Sequence, residues 1–80
     1  MMAITEMTEE QKLKLEIYSL VQFSNAAAEE AFAFIGTDRM KLELFKIRYN
    51  ANTANGDSVT RAVTSVREAK EALDLFTPGA

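Results

Sequence analysis

Eighty residues with nine Lys+Arg against twelve Asp+Glu make one mildly acidic chain of net charge −3, near the low end of what folds alone. An apolar share of 48% is too high for a disordered chain. The chain has no cysteine and no histidine, which excludes a disulfide staple, thiolate chemistry and a Ser-His triad, and removes the commonest metal ligand and the commonest acid–base group at neutral pH.

No apolar run reaches the roughly 18 residues a membrane span needs. Met1-Met2-Ala3-Ile4-Thr5-Glu6 has neither the basic region nor the hydrophobic stretch of a signal peptide. The expectation is a cytoplasmic protein with no membrane partner. Its charge is uneven: residues 1–36 carry −4, residues 37–56 carry +2 and residues 57–80 carry −1.

Residues 1–7 are expected to form a loose arm ahead of a single helical domain over 8–77, with 78–80 as a tail. Thr8 and Gln11 fit a capping box, and Glu9 and Glu10 suit the positive end of a helix. Leu13, Ile17, Leu20, Ser24, Ala27, Ala31 and Phe34 recur at intervals of 4, 3, 4, 3, 4 and 3. This unbroken heptad predicts one long helix over 9–35, on the order of 40 Å at about 1.5 Å per residue. Its second half, Ser24-Asn25-Ala26-Ala27-Ala28, is small enough for a neighbouring helix to come close. Gly36 closes it. Glu10–Lys14 and Lys12–Glu16 are expected as solvent-side i,i+4 pairs.

Thr37-Asp38 offers caps for a second helix over 39–54. Met40, Leu44, Ile47, Ala51 and Ala54, spaced 4, 3, 4 and 3, form its main stripe. Residues 40–49 also alternate in a way that fits a bulged strand, but a lone strand would have no partner to satisfy its backbone, so helix is preferred. Gly56 ends this element and Asp57 or Ser58 caps a third helix over 58–76. There Val59, Ala62, Val66, Ala69, Leu73 and Phe76 form the stripe, Arg67–Glu71 and Lys70–Asp74 decorate the outside, and Thr77-Pro78-Gly79 stops the helix. The fold class is therefore all-α: a three-helix up-down-up bundle, or a long helical hairpin with a third helix, packed as a dimer. The first helix would overhang its partners by roughly 12–16 Å. The alternative is a first helix kinked near Ser24-Asn25 and folded over its own bundle.

The second helix carries a second apolar stripe, Leu42, Phe45 and Tyr49, nearly opposite the first at about 100° per residue. A helix apolar on two sides is either sandwiched between neighbours or touches a second molecule. The functional expectation follows the latter: a non-enzymatic protein–protein interaction module docking through Leu42, Phe45 and Tyr49. Arg39 and Arg48 stand at the rim, with Leu15 and Tyr18 of the first helix off its main stripe. The partners expected are a second copy of the chain and another protein. The alternative is a small nucleic-acid-binding regulator using Arg39, Lys41, Lys46 and Arg48. That reading groups Arg39, Lys41 and Arg48 within about a third of the helix circumference, with Lys46 apart, and the acidic total argues against it. No catalytic, cofactor or metal site is expected: the acids sit at helix starts or in i,i+4 pairs, and no Glu-x-x-His, EF-hand or glycine-rich phosphate loop is present. A small chain of this make-up is compatible with a phage or mobile-element setting.

Overall fold

The computed structural model describes residues 7–76; the expected arm, apart from Met7, the expected tail and the stop signal at Thr77-Pro78-Gly79 lie outside them. The regular structure of the described residues is all helical, in the order α1 (Glu9–Leu20), α2 (Asn25–Ile35), α3 (Arg39–Ala51) and α4 (Ser58–Phe76). The segment 40–49 is helix, so the strand alternative falls away. The described residues are all-α as expected, but they form four helices where three were expected, because the long first helix is two.

The break lies at Val21-Gln22-Phe23-Ser24. Gln22 and Phe23 both take left-handed backbone conformations, with φ of 57° and 60°. The Phe23 N–H donates to the Tyr18 carbonyl at 2.6 Å and the Gln22 N–H to the Ser19 carbonyl at 3.2 Å, the paired bonds of a Schellman turn. Phe23 and Tyr18 also supply the apolar contact that usually accompanies this turn, their rings stacked with centroids 6.3 Å apart. Ser24 then caps α2, its Oγ accepting from the Ala27 N–H at 3.3 Å. A left-handed conformation costs a residue with a Cβ roughly 1–2 kcal/mol, so it is the closing hydrogen bonds, the ring stack and the new cap that hold the turn. The turn folds α1 back onto α2 and α3, and the overhang expected of a single 27-residue rod is absent.

The other ends follow the caps expected of the sequence. Thr8 Oγ1 accepts from the Gln11 N–H at 3.1 Å, while the Thr8 N–H donates to Gln11 Oε1 at 2.9 Å, completing the capping box. Asp38 Oδ1 accepts from the Met40 and Lys41 N–H groups. Asp57 Oδ1 accepts from the Thr60 N–H at 2.9 Å, so Asp57 rather than Ser58 caps α4. Between α2 and α3 the Asp38 N–H donates to the Ile35 carbonyl at 2.9 Å across Gly36, whose φ of 55° and ψ of −117° are those of the first central residue of a type II′ turn.

Helix α4 packs against both α2 and α3, and α1 covers the other side of that pair. The core takes Leu13, Ile17 and Val21 from α1, Ala27, Ala28, Ala31, Phe34 and Ile35 from α2, Leu42, Phe45 and Tyr49 from α3, and Ala62 and Ala69 from α4. The small residues of α2 and α4 let these two helices lie close, as the Ser24–Ala28 run suggested. Most of the expected first stripe is buried, with Ser24 serving as a cap at the break instead of packing.

Candidate interaction site on α3

Helix α3 is apolar on two sides, and the structure buries the side opposite to the one expected. Leu42, Phe45 and Tyr49 are 1%, 0% and 2% exposed. They cannot reach a partner in this fold, which corrects their reading as a docking face. Met40 and Ile47, placed in the core by their heptad spacing, are instead 58% and 60% exposed. Leu44 beside them is half-buried at the edge of the core and Ala51 is exposed. The reason is size. Two aromatic rings and a leucine remove more apolar area from water than a stripe ending in alanine. The Phe45 and Tyr49 rings also pack on each other with centroids 5.4 Å apart.

The aromatic side is held by α4. The Arg61 guanidinium lies 4.0 Å from the Tyr49 ring centroid, and Arg61 Nε donates to the Tyr49 carbonyl at 2.8 Å. One side chain thus supplies both a cation–π contact and a partner for a carbonyl at the end of α3. One turn on, Arg48 Nε and Asn52 Nδ2 both donate to Glu68 Oε1, at 2.8 and 2.9 Å. Asn52 Nδ2 also donates to Ser65 Oγ at 3.2 Å, and Ser65 Oγ donates to the Arg61 carbonyl at 2.7 Å. This network ties the end of α3 to α4; the helix stops at Ala51, three residues short of its expected end, with Asn52 as its C-cap. Ser65 is the one fully buried polar side chain of the described core, and these bonds satisfy it.

Glu68 is held below the usual carboxylate range, first by the Asn52 amide and then by Arg48. Asp57 is lowered too, chiefly by the Thr60 backbone N–H. For both groups the folded value lies below the unfolded one. Their contribution is therefore complete above the ordinary carboxylate range and is lost as pH falls through the lowered values. Glu68→Gln is expected to flatten the acid limb of stability against pH while changing it less below that range. Urea midpoints of both proteins at a series of pH values check this, and parallel acid limbs would contradict it.

The remaining expected site residues do not converge. Leu15 is exposed and, with Glu16, Ser19, Leu20, Leu42 and Lys46, lines an open groove of about 470 Å³ between α1 and α3. Tyr18 is half-buried, its ring edge-on to Phe32 at 5.3 Å as well as stacked on Phe23. Arg39 Nη1 pairs with Glu16 at 2.8 Å, a bridge from α3 to α1 that takes Glu16 away from its expected partner; Lys12 pairs with Glu9 instead. Lys41 Nζ sits 5.6 Å from the Phe34 ring centroid. The four bases do not form one flank. Lys41 and Arg48, seven residues apart, share a side, while Arg39 and Lys46 lie on nearly the opposite one at about 100° per residue, which corrects the grouping of Arg39 with Lys41 and Arg48. Two of the four are engaged in ion pairs. The position that sequence reasoning assigned to the wrong side is the Met40–Ile47 stripe, and the signal that marks it as the outer one is its smaller bulk.

Among the described residues no group of three or more Asp and Glu side chains is placed to hold a metal ion, and no helix is long and apolar enough to cross a membrane. A family model described as "Protein of unknown function (DUF2560)" matches residues 5–76. A protein of Salmonella phage P22, titled "Uncharacterized 9.0 kDa protein in gp15-gp3 intergenic region", is 62% identical over 80 residues, covering 100% of both chains. This relative agrees with the phage setting that the chain's size and composition allowed. No solved structure matches. The match spans nearly the whole chain, and the protein belongs to the DUF2560 family.

Proposed function

We propose that the protein is a non-enzymatic interaction module whose docking face is the outward side of α3, centred on Met40 and Ile47. The observation that carries this is the two-sided apolar character of α3 in a chain whose core needs only one of those sides. With Leu42, Phe45 and Tyr49 already buried, Met40 and Ile47 stand more than half exposed on the same side of one helix. Two large apolar residues at this spacing cost solubility unless something covers them. Glu43 and Arg48 flank them and supply a polar rim. A small adaptor, inhibitor or assembly subunit is the class of protein this describes. The expected cytoplasmic setting belongs to the same proposal.

The nucleic-acid alternative draws no support from the placement of the bases, since Arg39, Lys41, Lys46 and Arg48 are divided between two sides and two of them are neutralised by carboxylates.

Ile47→Glu tests the reading. It is expected to abolish recovery of the module's partners from phage-infected cells while circular dichroism and the melting transition stay as in the parent, because the side chain is mostly exposed and lies outside the core cluster. The control is Val63→Glu, the same kind of change at an exposed apolar residue of α4, away from this face. Undiminished recovery with Ile47→Glu would overturn the assignment of this face.

A further inference from the structure

The same face says which partner fits it, and this inference rests on the docking assignment above. Met40, Leu44, Ile47 and Ala51 recur at 4, 3 and 4, which makes them the d, a, d and a positions of a heptad. The residues beside such a seam are then fixed. Glu43 and Asn50 occupy g, and Lys41 and Arg48 occupy e. Glu43, whose carboxylate meets Arg39 of its own helix only at 3.9 Å, is half exposed, and Arg48 is more than a third exposed. Arg48 gives its Nε to Glu68, and its two Nη groups remain to serve a second carboxylate.

We infer that the occupant is a second copy of this chain, its α3 packed parallel and in register against the first. In a parallel pair the g residue of one helix faces the e residue five positions later on the other. Glu43 then lies opposite the partner's Arg48, and the two-fold axis repeats the pair. In an antiparallel pair the e positions face each other, setting Lys41 against the partner's Arg48 as like charges, twice over. The g positions then offer Glu43 only an asparagine. The charges on this face are therefore complementary to themselves in one orientation and repulsive in the other.

The size of the contact sets its strength. A helix of 13 residues is about 20 Å long, and pairing it covers well under the roughly 800 Å² per partner of a standard stable interface. The dimer is accordingly weak, forming as the concentration rises.

Sedimentation equilibrium of the full chain tests this. The mass is expected to rise from 8.9 kDa toward twice that value as the concentration approaches about 1 mM. Ile47→Glu and Glu43→Arg should each hold the mass at the monomer value, with folding confirmed by circular dichroism. Glu43→Arg and Arg48→Glu supplied on separate chains should each be monomeric alone and dimeric when mixed, because only the mixed pair places opposite charges at both g–e contacts. Should Arg48→Glu fail to fold for want of its Glu68 bond, the loss of dimer in Glu43→Arg decides the orientation by itself. A wild-type mass that stays at the monomer value to about 1 mM would overturn self-pairing and leave the docking face to be judged by partner recovery. A dimer indifferent to Ile47→Glu would place the contact elsewhere. A dimer lost in Ile47→Glu but kept in Glu43→Arg would overturn the parallel register.

Discussion

Phe45→Ala is expected to remove a large share of the stability of this protein. The ring is fully buried, packed on Tyr49 on the side of α3 that carries the core. Truncating a buried phenylalanine costs about 3–5 kcal/mol, partly through lost transfer energy and partly through the void left behind. An 80-residue chain at roughly 0.05–0.15 kcal/mol per residue has only about 4–12 kcal/mol to lose. The variant should be largely unfolded if the parent lies near the lower end of that range, and otherwise melt far below the parent. Ile47→Ala, two positions along the same helix and of comparable chemistry, should change stability by no more than about 0.5 kcal/mol. Urea unfolding followed by helical circular dichroism reads both. Equal losses for the two variants would mean that α3 is covered on both sides within one chain.

The second large effect is expected from adding volume. Ala31 lies at the middle of the buried face of α2 and is fully enclosed. Alanines at 27, 28 and 31 on α2, and at 62 and 69 on α4, let these helices lie close. A leucine at position 31 has no space to enter. The helices must separate or the side chain must leave its preferred rotamer, at a cost of about 1–3 kcal/mol and toward the upper end here, where the surrounding backbones are close. Ala33→Leu makes the same chemical change at an exposed site of the same helix and should be nearly neutral. The comparison separates packing from helix propensity, since the propensity change is the same in both. A variant with Ala31→Leu as stable as one with Ala33→Leu would show that the α2–α4 contact has room to spare.

Much of this fold was legible in the residues because local rules and packing agree there. Thr8 caps α1 with Gln11 as their spacing implied, Asp38 and Asp57 cap α3 and α4 from among the capping residues the sequence offered, and α4 runs over the predicted 58–76. The break in the first helix was not legible. Leu20 and Ser24 keep the heptad phase across it, and neither left-handed position is a glycine or an asparagine. What makes the turn is a contact between Tyr18 and Phe23 and a hydroxyl cap at Ser24, and these compete with helix continuation only once α1 can fold back on its neighbours. The kink considered near Ser24-Asn25 was the nearer description.

The faces of α3 were ambiguous for a different reason. Both satisfy helical spacing, so periodicity alone cannot rank them. The ranking comes from bulk and from Arg61, twelve residues away in the chain, whose guanidinium covers Tyr49 and satisfies its carbonyl. Other long-range partners position Arg39 and Arg48, each of which meets a carboxylate on another helix.

The absence of cysteine from the chain makes the orientation of α3 directly measurable. Single thiols introduced by Ile47→Cys and Phe45→Cys should react with a small aqueous labelling reagent at very different rates under native conditions. The thiol in place of Ile47 is expected to label nearly as fast as in the denatured chain, and the one in place of Phe45 only through unfolding, orders of magnitude more slowly. The reverse order, or equal rapid labelling of both in a folded protein, would contradict the burial of the aromatic side and with it the exposure of the face assigned to docking.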